Sequence, residues 1–229
     1  MKWAQWEGRL ADVGSAPYEG RGACWEALAA LPRPAQVAAL AIPEARAQAF
    51  ARFCARAWDL APVWYGAHAR AFGIENRYRP AESLGADRYA ALIAARARFP
   101  GRALQVVDCG TAITIDALDA QGVFHGGVIL PGLGLGARAL AAAAGLPVPP
   151  LAGEVSALGC ATGAALRGGE ILGIAGGVDR LLAEQRAVLG HETRVVVTGG
   201  DAPRLGPYLC QAFDYVPDLP LAGLAVMAA

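Results

Sequence analysis

The sequence has no surplus of either charge. Its 20 acidic residues balance 20 basic ones, so the formal net charge at pH 7 is zero. Proteins that bind nucleic acid or an anionic membrane surface usually carry a basic surplus. Neither kind of partner is therefore indicated. Lysine is also nearly absent: apart from Lys2 every basic residue is an arginine, which we attribute to codon usage.

Cysteine is scarce and scattered along the chain. There are five cysteines, an odd number, and no two are spaced as C-x-x-C. Neither a disulfide framework nor a zinc-binding cluster is therefore expected. We expect a reduced, cytoplasmic setting.

Long apolar runs are missing as well. Proline, arginine or glutamate interrupts each apolar stretch well short of the about 20 residues that a membrane-spanning helix needs. The chain opens with Met-Lys-Trp-Ala-Gln-Trp-Glu, which has no apolar signal region. We therefore expect a soluble protein with no membrane partner. Its 229 residues suffice for one large domain or two smaller ones.

The second half of the chain has the pattern of an α/β domain that opens with three strands. The predicted elements are strands at 104–108, 112–118 and 123–130, helices at about 134–144 and 157–189, a strand from 193 that ends in the glycine pair at 199 and 200, a helix at about 202–212, a short strand at 214–216 and a helix from about 220. Pro147, Pro149 and Pro150 mark a connection between the first two helices. With the two consecutive helices counted as one helical unit, the order is βββαβαβα.

The first half repeats this order without its opening strand. The predicted elements are a hairpin of 2–6 and 9–13, a helix at about 22–31, a strand at 36–42, a helix that Pro43 opens and a strand at 62–65. The chain therefore has the pattern of a duplication whose first copy lacks one strand. We expect domains at 1–99 and 100–229.

One turn in the second half contains residues that suit the binding of an anion and a cation. The segment from Val107 to Asp116 places a carboxylate, a glycine and a hydroxyl between two apolar strands. Gly110 lets backbone N–H groups approach an anion closely, and the Thr111 hydroxyl can donate beside them. Asp108 suits a cation better than a core. An ordinary hairpin turn would use the same residue types, so both interpretations stay open. Alternation predicts that Cys109 is a small core residue.

Four segments, in this order, resemble the type III pantothenate kinases. They are Asn76–Arg88, Asp108–Ala112, His125–Gly132 and Thr198–Asp201. The resemblance runs over nearly the whole chain. The family belongs to the superfamily of acetate and sugar kinases, heat-shock ATPases and actin. It implies an α/β fold with two ribonuclease H-like domains around a nucleotide cleft, which agrees with the duplication.

The resemblance also implies a reaction and the residues that carry it out. Asp87 matches the general base that takes a proton from the primary hydroxyl of pantothenate as this attacks the γ-phosphate of ATP. The positions that match pantothenate-contacting residues are Tyr78, Gly85, Ala86, Asp87, Arg88 and Thr162. Without the resemblance, Asp87-Arg88 would be interpreted as a solvated helix start and Thr162 as a helix cap.

ATP and ions are implied in the same way. The positions that match the ATP site are Lys2, Gly110, Thr111, Gly199 and Gly200. Asp108 matches a ligand of a monovalent cation, K⁺ or NH₄⁺, and the family also uses Mg²⁺. A glycine pair after a strand is in addition common in ordinary βα turns. The family implies a homodimer.

The chain departs from the family at its start. Family members begin with a strand that runs into Asp-x-Gly-Asn-Thr/Ser, a phosphate loop that here is absent, and only Lys2 and Trp3 of that region remain. We therefore expect the first domain to lack its N-terminal strand and phosphate loop. A start codon assigned too late accounts for this better than a shortened protein.

Three functions follow from these observations. The favoured one is ATP-dependent phosphorylation of pantothenate to 4′-phosphopantothenate, the first step of coenzyme A biosynthesis. The alternative is a non-catalytic relative that binds pantothenate or nucleotide in a regulatory role, having lost the phosphate loop. A sugar kinase of the same superfamily is disfavoured, because the chain has no zinc-binding Cys cluster and matches the family over 76–88.

Overall fold

The computed structural model describes residues 1–16, 23–148 and 152–229. The expected helix start at residue 22 and the prolines Pro149 and Pro150 lie outside the described residues. The described elements, in chain order, are β1 (Lys2–Trp6), β2 (Leu10–Ser15), α1 (Ala23–Ala29), β3 (Ala38–Leu40), α2 (Glu44–Trp58), β4 (Val63–Tyr65), β5 (Arg70–Ala71), β6 (Ile74–Asn76), α3 (Ala86–Arg98), β7 (Leu104–Cys109), β8 (Ala112–Leu118), β9 (Val123–Pro131), α4 (Leu135–Ala144), α5 (Thr162–Leu189), β10 (Arg194–Thr198), α6 (Ala202–Leu205), β11 (Asp214–Tyr215) and α7 (Leu219–Ala228).

The structure confirms the mixed α/β class and the predicted order of elements. The segments β1 to β4 with α1 and α2 have the order ββαβαβ, and β7 to β9 form the three-stranded opening of the second half. The helix expected at about 202–212 is wrong in length. It ends at Leu205, because Pro207 has no backbone N–H to continue the helix. None of the described helices is long and apolar enough to cross a membrane.

One sheet of seven strands organises most of the chain. Its order is β11-β10-β7-β8-β9-β6-β5. The strand β8 is antiparallel to both of its neighbours, β7 and β9, while β10 runs parallel to β7 and β6 runs parallel to β9. The sequence does not predict β5 and β6. They have two and three residues, too few to show a period.

The seven-stranded sheet separates two hydrophobic cores, as the side chains of β7 show. Leu104 and Val106 belong to a core that includes side chains of α3 and α7. Val107 and Cys109 belong to a second core, formed largely with α5. Successive side chains of a strand point to opposite faces of the sheet. Asp108 therefore lies on the α3 side.

Asp116 lies on the same face. It pairs with Val106 across β7 and β8, and cross-strand partners share a face. Thr114 pairs in turn with Asp108, which places its side chain on this face as well. The first turn of α3 thus meets a strip of polar side chains that follows the end of β7 and the middle of β8.

The first half of the chain also contains two separate pairs of strands. β1 pairs with β2 in antiparallel register, and β3 pairs with β4 in parallel register. The helix α7 contacts both β1 and β3. Aromatic side chains of α1 and α2, among them Trp25, Phe53 and Trp58, form a third apolar cluster. The division into domains at residue 99 stays a prediction.

The helices α3 and α7 approach each other closely at a glycine. A Cβ at Gly223 would lie 1.9 Å from the carbonyl oxygen of Ala90 and 2.8 Å from its Cα. Gly223 is buried and has no side chain to separate the two backbones. The contact therefore fixes the position of α3, the helix that begins at the polar strip.

Replacing this glycine should move the two helices apart. Gly223→Ala should lower the free energy of unfolding by roughly 1–3 kcal/mol, because the methyl group overlaps the backbone of α3. Urea denaturation measures the effect. Gly176→Ala is the matched control: Gly176 lies in α5 with no atom within 4 Å of its Cβ position, and alanine should add up to about 1 kcal/mol there. A loss of equal size in both variants would contradict the packing argument.

Candidate active site

Asp87 lies in the first turn of α3, which begins directly after Gly85. Its Oδ1 accepts the backbone N–H of Arg88 at 2.8 Å, and its side chain is exposed. A Cβ at Gly85 would lie 2.7 Å from this oxygen. The glycine thus leaves room for the carboxylate, and the start of a helix favours a negative charge.

Arg88, the next residue, points into the protein and is 7% exposed. Its Nε donates to Asp116 Oδ2 at 3.0 Å, and its Nη2 donates to Asp116 Oδ1 at 2.5 Å. Its Nη1 donates to the Tyr78 hydroxyl at 2.9 Å. Three of the five guanidinium N–H groups therefore donate to Asp116 or Tyr78.

Asp116 is one of the residues that the sequence pattern did not single out. It is 2% exposed and forms a bidentate pair with Arg88. Its signal in the sequence is a carboxylate inside an apolar strand, which requires a buried cation as partner. A Cβ at Gly127 would lie 2.1 Å from Asp116 Oδ1 and 2.7 Å from Arg88 Nη2. Glycine in β9 is therefore what makes room for the pair.

Burial and pairing act against each other on these two groups. Burial lowers the pKa of Arg88, but the hydrogen bonds and charge of Asp116 raise it above its ordinary value. Burial raises the pKa of Asp116, and the hydrogen bonds from Arg88 oppose that rise. The guanidinium stays charged in either case. Loss of the carboxylate would therefore leave an unpaired cation inside the protein.

Tyr78 is held by its own loop. The buried Asn76 accepts the backbone N–H of Tyr78 at 3.0 Å and donates to the carbonyl of Ala81 at 2.9 Å. The Tyr78 ring stacks on Phe124, with the ring centroids 5.7 Å apart. Asn76 lies in a segment that resembles the family, but its structural role depends on contacts that the sequence pattern does not predict.

The turn between β7 and β8 is closed by backbone contacts. Gly110 N–H donates to the Ala112 carbonyl at 3.1 Å, and Gly132 N–H donates to the Thr111 carbonyl at 3.0 Å. A Cβ at Gly132 would lie 2.2 Å from the Gly110 carbonyl oxygen. Thr111 is exposed. This geometry is compatible with a phosphate turn and with an ordinary hairpin.

Asp108 lies among several charges at the end of β7. Burial is the main cause that raises its pKa to about 6; the charges of Asp87 and Asp116 act in the same direction, and that of Lys2 opposes them. Lys2 Nζ also lies 3.8 Å from Asp218 Oδ1. The predicted base, the predicted cation ligand and Lys2 therefore share one electrostatic environment.

The glycine pair after β10 packs against the same strand end. Gly199 has a φ of +96°, and a Cβ there would lie 2.3 Å from the Cys109 carbonyl oxygen and 2.5 Å from Asp108 Oδ1. Asp201 N–H donates to the Cys109 carbonyl at 3.0 Å. Gly200 has open space around its Cβ position. Cys109 itself is fully buried, which confirms it as a core residue.

Thr162 lies elsewhere. It begins α5 and lines a cavity of about 570 Å³ between α4 and α5, whose other lining residues are mostly apolar. Tyr78, Asp87 and Arg88 do not line this cavity. The structure thus gathers Tyr78 and Gly85–Arg88 at one place and leaves Thr162 at another.

The buried pair should carry much of the stability of this region. Asp116→Asn should lower the free energy of unfolding by about 3–5 kcal/mol at pH 7, because it leaves Arg88 without an anionic partner. Urea denaturation measures this loss. Asp214→Asn is the control. It removes the partner of Arg194 in an exposed pair, so it should change stability little. If both variants lost a similar free energy of unfolding, burial would not explain the contribution of the Arg88–Asp116 pair.

Sequence comparison identifies relatives over most of the chain. The family model of the type III pantothenate kinases matches residues 12–184. The type III pantothenate kinase of Alkalilimnicola ehrlichii is 38% identical over 234 residues, which cover 100% of this chain and 93% of that protein. The one from Nitrosococcus oceani is 40% identical over 176 residues, which cover 75% of this chain and 66% of that protein.

Structural comparison supports the fold alone. A crystal structure from Campylobacter jejuni, described as a Baf family transcriptional activator, superimposes with a TM-score of 0.55 at 21% identity. The match covers 88% of this chain and 85% of that one. Together, the family match and the full-length relative at 38% identity establish that the chain belongs to the type III pantothenate kinase family.

Proposed function

We propose that the chain transfers the γ-phosphoryl group of ATP to the primary hydroxyl of pantothenate, giving 4′-phosphopantothenate and ADP in the first step of coenzyme A biosynthesis. The observation that carries this proposal is the placement of Asp87. It is an exposed carboxylate at the start of α3, beside the buried Arg88–Asp116 pair and within the electrostatic reach of Asp108. The family match over the same residues supports the reaction.

Asp87 acts as the general base. An aliphatic hydroxyl is a weak nucleophile, so a carboxylate within hydrogen-bond reach assists its attack on phosphorus. The backbone N–H of Arg88 fixes Oδ1 of Asp87. The exposure of the side chain lets the carboxylate reach a substrate hydroxyl. The proton moves from that hydroxyl to Asp87 as the phosphoryl group transfers.

Arg88 and Tyr78 orient the substrate. The pair with Asp116 holds the guanidinium in one orientation, and the two N–H groups that remain can donate to an oxygen of pantothenate. The Tyr78 hydroxyl accepts from Arg88, so it can donate its own proton to the substrate. Gly85 and Ala86 line the approach to Asp87. Orientation of this kind lowers the entropic part of the barrier.

ATP binds against the end of β7. Thr111 presents its hydroxyl to the phosphates at the turn that Gly110 forms, and Gly200, whose Cβ position is open, leaves space for the adenosine beside Gly199. Lys2 supplies a positive charge in the same electrostatic environment. Phosphoryl transfer depends mainly on positioning and on compensation of charge.

A monovalent cation fits beside Asp108. Its carboxylate is largely removed from water, which raises its pKa to about 6, and the Thr114 hydroxyl belongs to the same face of the sheet. Carboxylate and hydroxyl oxygens are hard ligands of the kind that K⁺ takes. A bound cation would compensate phosphate charge. For Mg²⁺ the described residues offer no group of three or more Asp, Glu, His or Cys, so no residue is assigned to it.

The two pairs of strands in the first half support the proposed missing strand. Among the described residues, β1 pairs only with β2 and β3 only with β4, while α7 contacts both β1 and β3. An additional strand between β1 and β3 would join the two pairs into one sheet. In a ribonuclease H-like domain, that strand would carry the phosphate loop.

The surface around α4 is the proposed interface of the homodimer. Leu135 and Leu140 of α4 and Leu146 just after it are exposed, and the cavity between α4 and α5 is mostly apolar. Clustered exposure of this kind is typical of an interface between proteins. A second copy of the chain is the partner we propose.

The role of Asp87 can be tested by removing its basicity. Asp87→Asn, made in the chain together with any upstream in-frame segment, should lower kcat by about 10²-fold or more and leave pantothenate binding largely intact, because an amide accepts no proton. Steady-state rates and calorimetric titration measure the two quantities. Glu82→Gln, which removes another exposed carboxylate nearby, should keep the wild-type kcat. An unchanged kcat in Asp87→Asn would exclude Asp87 as the base.

The cation proposal predicts a dependence on salt identity. Initial rates should be higher in KCl than in NaCl at equal ionic strength, because Na⁺ is smaller and holds its water more tightly. K⁺ should also lower the pKa of Asp108 from about 6, since a cation favours the ionised carboxylate. Stimulation should therefore weaken as the pH falls below 6 and Asp108 takes up a proton.

Carboxyl ¹³C NMR titration and initial rates together check this prediction. Asp108→Ala is the control, in which K⁺ and Na⁺ should give the same rate. If the wild type had equal rates and the same Asp108 pKa in KCl and NaCl, Asp108 would be only a turn residue and not a cation ligand.

A further inference from the structure

A carboxylate of α5 holds the start of α4. Glu170 Oε1 accepts the backbone N–H of Gly134 at 2.9 Å and that of Ala137 at 3.0 Å. The first N–H groups of a helix have no partner within the helix, and a side chain at the N-cap usually supplies one. Gly134 occupies the N-cap here and has no side chain. Glu170, which lies in α5, caps the start of α4 instead.

The segment that Glu170 holds lies directly behind the predicted ATP turn. Gly132 N–H donates to the Thr111 carbonyl at 3.0 Å, and Leu135 N–H donates to the Gly132 carbonyl at 3.1 Å. A Cβ at Gly132 would lie 2.2 Å from the Gly110 carbonyl oxygen and 2.5 Å from that of Thr111. The backbones are thus in contact, so a shift of the Gly132–Gly134 segment displaces the turn.

The same carboxylate belongs to the helix that begins with Thr162. Both Glu170 and Thr162 line the cavity between α4 and α5. The Glu170 Oε2 atom is buried and has no hydrogen-bond partner among the described residues. A buried carboxylate is costly unless hydrogen bonds compensate it. The two N–H groups of α4 provide this compensation, and the helix dipole adds to it.

We propose that Glu170 is a positioning residue for phosphoryl transfer. It ties α5 to the Gly132–Gly134 segment, and this segment supports Gly110 and Thr111. Through these contacts Glu170 keeps the ATP turn in its binding geometry and couples it to the helix that carries Thr162. The inference rests on the proposed function, in which Gly110 and Thr111 contact ATP.

Two variants of Glu170 and one control test the proposal. Glu170→Ala removes the acceptor, and Glu170→Gln keeps an acceptor oxygen but loses the charge. Glu184→Ala is the control, because Glu184 lies on the same helix and pairs with Arg180 on the surface. Hydrogen exchange of residues 110–112 and 132–137, together with the KM values for ATP and pantothenate, gives the readouts.

Glu170→Ala should accelerate exchange by about tenfold or more at Gly134 and Ala137, and also at residues 110–112. The KM for ATP should rise about fivefold or more, with a smaller change for pantothenate, because the ATP turn loses its support. Glu170→Gln should give intermediate values in both measurements. Glu184→Ala should match the wild type. If Glu170→Ala does not fold, Glu170→Gln provides the decisive comparison.

Faster exchange confined to Gly134 and Ala137, with an unchanged KM for ATP, would overturn the proposal and leave Glu170 as a helix cap. Failure of the proposed function gives a different result. The wild type would then not phosphorylate pantothenate, whereas exchange at residues 110–112 and titration with a non-hydrolysable ATP analogue would still report on Glu170. Unchanged exchange and unchanged binding of that analogue in Glu170→Ala would overturn the inference independently of turnover.

Discussion

The ion pair between Arg88 and Asp116 is the constraint on which the rest of the site depends. Two opposite charges inside a protein are tolerated only when geometry lets each satisfy the other. That requirement fixes the first turn of α3 against the middle of β8, and with it the direction in which Asp87 faces solvent. Gly127 meets the same requirement from β9, since any side chain there would overlap the pair. The same interaction therefore stabilises this region and fixes the orientation of the proposed base.

Backbone contacts at glycine extend this constraint to the turn that is proposed to bind ATP. Gly132 and Gly199 each bring a turn against the end of β7 at distances that a Cβ would prevent. The site is thus built from turns that touch one another through main-chain atoms and from few side chains. Positions of this kind move little as long as the sheet is intact, because the surrounding core is closely packed. Precise placement of Asp108 follows from the sheet rather than from flexible loops.

The sequence predicts this arrangement unevenly, for physical reasons. The strands β7 to β9 are long and apolar, so their pattern is clear, and the order of elements in both halves follows from periodicity and turn residues. The short β5 and β6 have no measurable period, and the predicted length of α6 ignored Pro207. Motif resemblance predicted a base at Asp87 and a cation ligand at Asp108. It did not locate Asp116, whose role arises only when β8 and α3, far apart in sequence, are brought together. Glu170 was missed because its partners are backbone N–H groups.

The close contact between α3 and α7 has a consequence for the order of folding. The helix that carries Asp87 packs against a segment that ends at residue 228, and this segment also contacts β1 and β3. During synthesis the earlier parts of a chain fold first. Here α3 emerges from the ribosome with its neighbouring helix still untranslated, and its apolar side chains remain uncovered for that interval. The packing around Asp87 is therefore completed only after α7 has been synthesised, and a nascent chain stalled before residue 219 would present α3 to chaperones.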